Sequence, residues 1–500
     1  MKILLAHQIR ELDAYTIQHE PIASIDLMER AALVFVRWFE QRFPDTDRPV
    51  HIFCGPGNNG GDGLAVARLL HQRLYPITVW ICDANAKQTP DFQINIQRLP
   101  QRSDLQIYTI KPNEALPILS AQALLIDAIF GAGLNRPLSG FWAMLITHLN
   151  QQALTRIAID IPTGLFADQH TTGVSLHAHY TFSFEMPKLA FFFPENQHIV
   201  GEWHYESIGL HPDFIAKADT PYYYIDIKIA KQLHHKRQKF NHKGNFGHAL
   251  LIMGSYGKMG AAILAARACL RSGVGLVTIH APKCAYPILQ MSVPEAMVSI
   301  DRHEFYLSEI PSLKPYRAIG AGCGLDQKKT SREALALLLE QSALPMVLDA
   351  DALNMISKEQ KLLAKLPQGS LLTPHVREFE RLFGNSANDF ERHELQRQQA
   401  QQLGVYIILK GAHTCITTPE GNCYFNATGN PGMATGGSGD VLTGILTGLL
   451  AQQYSPLEAA LLGVYLHGLA GDLAAAAIGQ DALIASDLIE YLGKAYLALR

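Results

Sequence analysis

Two glycine-rich segments, each carrying an acidic residue, are where this chain could do chemistry. Residues 54–63 read C-G-P-G-N-N-G-G-D-G, between an apolar β-branched run and an amphipathic stretch. Gly55, Gly57 and Gly60 satisfy G-x-G-x-x-G, and Asp83 follows at about the 20-residue spacing of a dinucleotide-binding turn. Asp62, however, puts a carboxylate where helix amides would meet a pyrophosphate, so two negative charges compete for one place. Asn58 and Asn59 add amides that can coordinate a cation or hydrogen-bond a substrate, which makes a polar site the better reading. A glycine turn with an ordinary helix-capping Asp is the alternative. Asp127 in L-I-D-A-I-F-G-A-G-L-N-R-P and Asp160 in A-I-D-I-P-T-G end apolar runs, where open parallel sheets place their ligands.

The second segment, residues 426–450, reads N-A-T-G-N-P-G-M-A-T-G-G-S-G-D-V-L-T-G-I-L-T-G-L-L, with a helix expected to start near Asp440. No G-K-[ST] follows, so it is not a Walker loop. Successive amides of G-G-S-G at a helix start suit a phosphoryl group in flight, and Asp440 beside them could take a proton from a hydroxyl nucleophile. Phosphoryl transfer to an alcohol is the chemistry this pairing fits. A first-turn Asp of purely structural use is the competing reading. T-P-H-V-R-E (373–378) and I-L-K-G-A-H-T (408–414) supply further strand ends, the latter where a nucleotide could lie.

Positioning such residues requires a covered parallel sheet. V-H-I-F-C, I-T-V-W-I-C, A-L-L-I-D-A-I-F and R-I-A-I-D-I alternate with helical stretches, as do A-L-L-I-M-G-S, G-L-V-T-I-H, M-V-L-D-A and V-Y-I-I-L-K further on. Between about 205 and 242 the alternation lapses, which divides the chain into α/β units at 1–220 and 221–500. His234, His235, Lys236, Arg237 and Lys239 there read as a solvated connector.

Composition narrows the partners. Of 500 residues 48% are apolar and 17% charged, and 42 basic against 45 acidic residues give 42 − 45 = −3, so no basic field exists for nucleic acid. Apolar runs broken within about a dozen residues predict no membrane span, and the short N-terminal run M-K-I-L-L-A predicts no signal peptide. Seven Cys with no C-x-x-C pair fit reduced thiols, and a cytoplasmic location is expected. A small-molecule ligand and a homo-oligomer are the expected partners.

G-N-N-G-G-D-G, D-A-I-F-G-A-G-L-N-R-P and D-I-P-T-G, with L-M-E-R-A-A near the start and P-K at 187–188, resemble the NAD(P)H-hydrate epimerase family. The resemblance covers most of residues 1–215 and implies a Rossmann-like three-layer domain. By motif it assigns Asn58, Asn59, Gly60, Gly61 and Asp62, together with Gly131, Ala132, Gly133, Leu134, Asn135, Arg136 and Pro137, to hydrated NAD(P)H. It makes Asp160 the acid/base and a substrate contact, and Asn59, Asp127 and Thr163 the residues for potassium. Thr163 replaces the family's Ser, and Ala32 and Ala190 stand where Gly is usual.

From about 240 to 495, H-K-G-N-F-G-H, G-A-A-I-L-A-A-R-A-C-L-R-S-G-V-G-L-V, P-E-A-M, A-G-C-G-L-D, L-D-A-D-A-L and the segments above resemble the ADP-dependent NAD(P)H-hydrate dehydratases. The resemblance implies a ribokinase-like α/β domain in which Ala261, Gly322, His375 and Asp440 contact the hydrate, with Asp440 as base. Lys410, Gly411, Ala412, His413, Thr414 and Gly439 would hold the adenine nucleotide, and magnesium would accompany ADP. Asp349, Asp351 and Glu378 are candidates to support a metal-bound water. The expectation is a bifunctional repair enzyme acting on hydrated NADH and NADPH with ADP. A vitamin-precursor kinase is the first rival, separated by His375 where such kinases carry Asn; a nucleotide-sensing binding module is the second.

Overall fold

The computed structural model describes residues 1–82, 87–100 and 105–500, so Asp83 lies outside the described residues. The chain divides into two units, one of Lys2–Thr220 with Asn388–Phe390, the other of Met1, Pro221–Ala387 and Glu391–Arg500.

In the first unit the apolar runs form seven parallel strands: β1 (Val50–Cys54), β2 (Ile77–Cys82), β3 (Gln106–Ile110), β4 (Leu124–Ala128), β5 (Thr155–Ile159), β6 (Tyr180–Phe184) and β7 (Glu202–Glu206). Their order, β3-β2-β1-β4-β5-β6-β7, reverses between β1 and β4, and that switch point opens a crevice at the strands' carboxyl ends. Residues 54–63, read as a glycine-rich segment ahead of the amphipathic stretch, are largely helical instead, because Asn58 already begins the helix Asn58–Gln72. Two Asn and three Gly are poor helix formers, but packing decides here. A Cβ on Gly60 would stand 1.7 Å from the Gly55 carbonyl oxygen, and one on Gly63 2.5 Å from the Ala128 Cβ. Only glycine lets this helix lie against β1 and β4. Gly60→Ala is therefore expected to destabilise the unit by about 3 kcal/mol despite Ala's better helix propensity, read as a lowered denaturation midpoint. Gly57→Ala, with nothing within 4 Å of its added carbon, is the neutral control.

The second unit contains β8 (Tyr222–Ile225), β9 (His248–Ile252), β10 (Leu276–Ala281), β11 (Met297–Ile300), β12 (Ala318–Ala321), β13 (Met346–Leu348), β14 (Leu371–Leu372), β15 (Tyr406–Leu409), β16 (Cys415–Thr417) and β17 (Cys423–Asn426). They form one sheet in the order β11-β10-β9-β12-β13-β14-β15-β16-β17-β8, parallel as far as β15 and antiparallel across β15-β16-β17. Alternate strand residues face two cores. Ala249 and Leu251 pack with the helices Met259–Arg271, Ser438–Ala451 and Pro456–Ile478, whereas Leu250 and Ile252 pack with Lys329–Gln341 and Ala350–Lys358 on the other face. This is the three-layer α/β arrangement that near-continuous apolar strands demand.

Two differences from the sequence reading have simple causes. Tyr222–Ile225, read as part of a lapse, is a strand, its aromatic β-formers pairing with β17 while Tyr223 stacks on Tyr424 at 4.7 Å. Pro456–Ile478 is long and apolar enough to cross a membrane, yet Ala459–Leu466 are buried in the unit's core, so it serves as a core helix. The basic connector is solvated as read, with His235, Lys236, Arg237 and Lys239 exposed, although His235 stacks on Tyr454 and Arg237 lies over the Phe246 ring.

Candidate functional sites

The switch point of the first unit opens into a cavity of about 700 Å³. Asn58, Asn59, Asp62, Gly131, Ala132, Gly133, Leu134 and Asp160 line it, so three sequence-distant motifs meet. Gly60 and Gly61 are not among the lining residues; Gly60 faces the Gly55 carbonyl, and Gly61 faces the Met28 side chain. Asn135, Arg136 and Pro137 are exposed and lie beyond the lining.

Asp160 follows β5 in a left-handed conformation, φ 65°, which turns its carboxylate to Lys188. The Lys188 ammonium is buried, 2.8 Å from Asp160 Oδ1, and donates to Ser183 Oγ at 2.9 Å. Asp13, from the helix Ala6–His19, Asp62 and Asp91 line the same cavity, so carboxyl groups crowd there. Burial, reinforced by the Asp160 charge, pushes the Asp13 carboxyl up to about 7. Burial, with Asp160 and Asp13 adding to it, holds Asp62 well above the ordinary carboxyl range. The cavity therefore contains a proton-carrying acid and a carboxyl that titrates near neutrality, beside an ion-paired carboxylate.

Asp13 links this site to stability. Its folded pKa exceeds the ordinary value, so between about pH 4 and 7 the folded chain holds the extra proton and stability falls as pH rises. Asp13→Asn removes that penalty. The substitution is expected to stabilise the unit by about 2 kcal/mol at pH 8, allowing for solvent screening, and by almost nothing at pH 4. Equal effects at both pH values in denaturant titrations would refute the assignment.

Behind the lining, Asp127 is fully buried at the end of β4. Thr163 donates to it through its amide and its hydroxyl, each at 2.7 Å, and the Ile129 amide donates at 3.1 Å. Burial pushes Asp127 up to about 6 against those hydrogen bonds. Among the described residues no cationic side chain pairs with it. The Asn59 amide nitrogen nearby is buried without a hydrogen-bond partner, and a Cβ on Gly131 would lie 3.5 Å from Asn59 Oδ1. A buried carboxylate, a hydroxyl and an unsettled amide are oxygen-rich enough to suit a large monovalent cation.

In the second unit the strand ends converge on Lys410. Its ammonium lies 2.7 Å from Asp349 Oδ1 and 4.0 Å from Glu378 Oε2. A Cβ on Gly439 would stand 3.3 Å from Asp349 Oδ2 and 3.4 Å from Lys410 Nζ, so the glycine-rich helix start abuts this pair. Thr443 donates to Asp349 at 3.0 Å. The helix begins at Ser438 after Gly437 in a left-handed conformation, φ 94°, two residues before the expected start. That leaves the first-turn amides of Gly439 and Asp440 without intrahelical acceptors. Asp440 accepts from the Cys323 thiol, and burial raises its pKa, with Asp349 adding and Lys410 opposing. Among the described residues it has no ion pair, so its carboxylate stays available as an acceptor.

The other assigned residues occupy the same strand ends in different ways. Gly322 has φ 130°, and a Cβ there would meet the Asp349 carbonyl oxygen at 1.9 Å, so it holds β12 and β13 close. Ala261 lies in the first turn of Met259–Arg271, against Gly324. His375 caps the helix Val376–Phe383, its Nδ1 accepting from the Arg377 and Glu378 amides, while Glu378 accepts from the His375 amide. His375 and Glu378 thus form a capping box, with Nε2 left as the ring's proton-bearing nitrogen. Gly411 and Thr414 are exposed or half-buried after β15 and close on each other through the Thr414 hydroxyl; Ala412 and His413 lie between them. Asp351 is committed to Lys258, Gln327 and the Asp326 amide.

Residues 249–494 match the family described as NAD(P)H-hydrate dehydratase, and residues 24–190 match the YjeF-related protein N-terminus. A bifunctional NAD(P)H-hydrate repair enzyme of Moorella thermoacetica is 34% identical over 508 residues, covering 98% of this chain and 96% of the relative. The chain belongs to the bifunctional NAD(P)H-hydrate repair enzymes. A member from Coxiella burnetii is also 34% identical, covering 97% of each chain. Among solved structures, an ADP/ATP-dependent NAD(P)H-hydrate dehydratase of Bacillus subtilis, co-crystallised with ATP and magnesium, is 32% identical over 56% of this chain and 99% of its own, with a TM-score of 0.49.

Sequence reasoning gave no role to Asp13, none to Cys323 and none to His467. His467 is half-buried, desolvation pushes its pKa down to about 4, and its Nε2 lies 3.0 Å from the Ser438 carbonyl oxygen at the glycine-rich turn. The neutral ring thus donates to that carbonyl and fixes the turn. Lys188 appeared only as part of a P-K pair, although it is the Asp160 partner.

Proposed function

We propose that residues 1–220 interconvert the R and S epimers of hydrated NADH and NADPH, and that residues 221–500 convert the S epimer to NAD(P)H at the expense of ADP. The observation that carries the second activity is a half-buried Asp440, without an ion pair among the described residues, beside the first-turn amides of the helix Ser438–Ala451. Asp440 takes the proton of the hydrate's ring hydroxyl while that oxygen bonds to the β-phosphorus of ADP and AMP leaves. The amides of Gly439 and Asp440 stabilise charge on the transferred group. Phosphate then departs with the electron pair of its C–O bond, pushed by the ring nitrogen, and loss of a ring proton restores the dihydronicotinamide. The sum is hydrate plus ADP to NAD(P)H, AMP and phosphate.

In the first unit, the Asp160 carboxylate takes the ring-hydroxyl proton as that oxygen becomes a carbonyl and the adjacent C–N bond breaks, passes the proton to the ring nitrogen, and reverses both transfers when the nitrogen adds to the other face; Lys188 holds the carboxylate in place. Asn58, Asn59, Asp62 and the 131–134 segment bind the hydrate. Potassium suits Asn59, Asp127 and Thr163, where it would neutralise a buried carboxylate. Magnesium would be held chiefly by ADP, since Asp349 and Glu378 already face Lys410, and would supply neutralisation of phosphate charge. Lys410, Gly411, Ala412, His413, Thr414 and Gly439 bind ADP, and Ala261, Gly322 and His375 contact the hydrate.

A cytoplasmic location fits seven cysteines that are all thiols. A homo-oligomer fits the edge strand β11 and its neighbouring helix, which expose Tyr286, Ile288, Met291, Met297 and Ile300. The chemical test is incubation with pure S hydrate, magnesium and ADP. The reading expects equal amounts of NAD(P)H, AMP and phosphate; recovery of NAD(P)H without AMP would overturn it.

A further inference from the structure

We infer that His393, Cys415 and Cys423 form a structural site for a thiophilic dication, zinc by preference, that clips the β16–β17 hairpin to the helix Asp389–Leu403. The three side chains offer Nδ1 or Nε2 and two Sγ atoms that all lie within 4.8 Å of one another. His393 Nδ1 is 3.9 Å from Cys415 Sγ. Bond lengths of about 2.3 Å to sulfur and 2.0 Å to nitrogen in a tetrahedron separate ligand atoms by about 3.5–3.8 Å, so slight contraction closes the cage. The Thr417 hydroxyl lies beside both thiols, 3.8 Å from Cys415 Sγ and 3.7 Å from Cys423 Sγ.

The topology makes this convergence specific. Thr417 pairs with Cys423 and Cys415 with Phe425, so both thiols share one face of the hairpin on a diagonal. All four residues are buried, none more than 6% exposed. Diagonal neighbours in an antiparallel pair lie about 7–8 Å apart, beyond the usual Cα span of a disulfide, so a cation joins these thiols with less backbone movement. Charge selects the ion. Two thiolates and a neutral imidazole balance a dication, whereas a monovalent copper would leave a net negative charge in the core. Magnesium, calcium and potassium prefer oxygen. Loading releases two thiol protons, and because Cys415 directly follows the 410–414 segment, the clip would also steady that segment's exit.

The test uses the full chain, produced in zinc-replete medium and purified without metal-affinity resin. Native mass spectrometry is expected to show one zinc per chain, with two thiols protected from alkylation until a chelator is added. Protein produced in cobalt medium is expected to show a thiolate-to-cobalt charge-transfer band that Cys415→Ser and Cys423→Ser abolish and Cys284→Ser retains. A metal-free mass, a mass two hydrogens short from a Cys415–Cys423 disulfide, or an unchanged band in Cys423→Ser would overturn the site. If the serine variants fail to fold, the mass and alkylation of the unmodified chain decide the question alone.

Discussion

Asp440→Asn is expected to lower the rate of dehydration about 1,000-fold, the middle of the range for loss of a general base and about 4 kcal/mol of barrier. The substitution is nearly isosteric and removes only the acceptor for the hydroxyl proton. Asp440 has no ion-pair partner among the described residues, so nothing in the neighbouring Lys410–Asp349 pair is left uncompensated. ADP affinity should accordingly change less than threefold in titration calorimetry, and R–S exchange should be untouched. Because burial raises the pKa of Asp440, the wild-type rate should also fall as pH drops through that raised value, where the carboxyl becomes protonated and loses its acceptor capacity. Asp440→Asn should flatten that limb. A variant that keeps wild-type turnover would exclude Asp440 as the base.

Asp160→Asn is the second large effect. It removes the charge that Lys188 meets at 2.8 Å and the group assigned to move the proton, so epimer exchange should slow by about 100-fold or more while dehydration of the S epimer proceeds normally. It also leaves a buried ammonium near Asp13. Asp13 loses a repelling neighbour, its pKa should fall from about 7, and the ionised Asp13 would become the partner of Lys188. The expected result is a folded but slow epimerase whose pH profile shifts to lower pH. Equal loss of both activities would contradict two independently acting sites.

Strand-end aspartates were legible because a parallel sheet must put its ligands there, and Asp127, Asp160 and Asp349 each sit at or just beyond such an end. The G-G-S-G-D turn was legible for a similar reason, since few other uses exist for dense glycine before an apolar helix. Partnership was not. Asp13 reaches Asp160 through a helix some 150 positions away in sequence, and no local pattern marks it (160 − 13 = 147). The helical state of Asn58–Gly61 was hidden because weak propensity is overruled by a close approach to Gly55. Asn135, Arg136 and Pro137 came with a motif whose first half alone reaches the cavity lining. His393 and the two hairpin thiols come together only when a helix and a diagonal strand register are both in place.

The most direct measurement is a time course with mixed R and S hydrates, magnesium and ADP, following dihydronicotinamide absorbance and separating the two epimers by chromatography. The account predicts that the wild-type chain consumes both epimers to completion, and that Asp160→Asn consumes the S form and stalls with R remaining. Complete consumption of R at an undiminished rate by Asp160→Asn, or no consumption of S by the wild type, would contradict it.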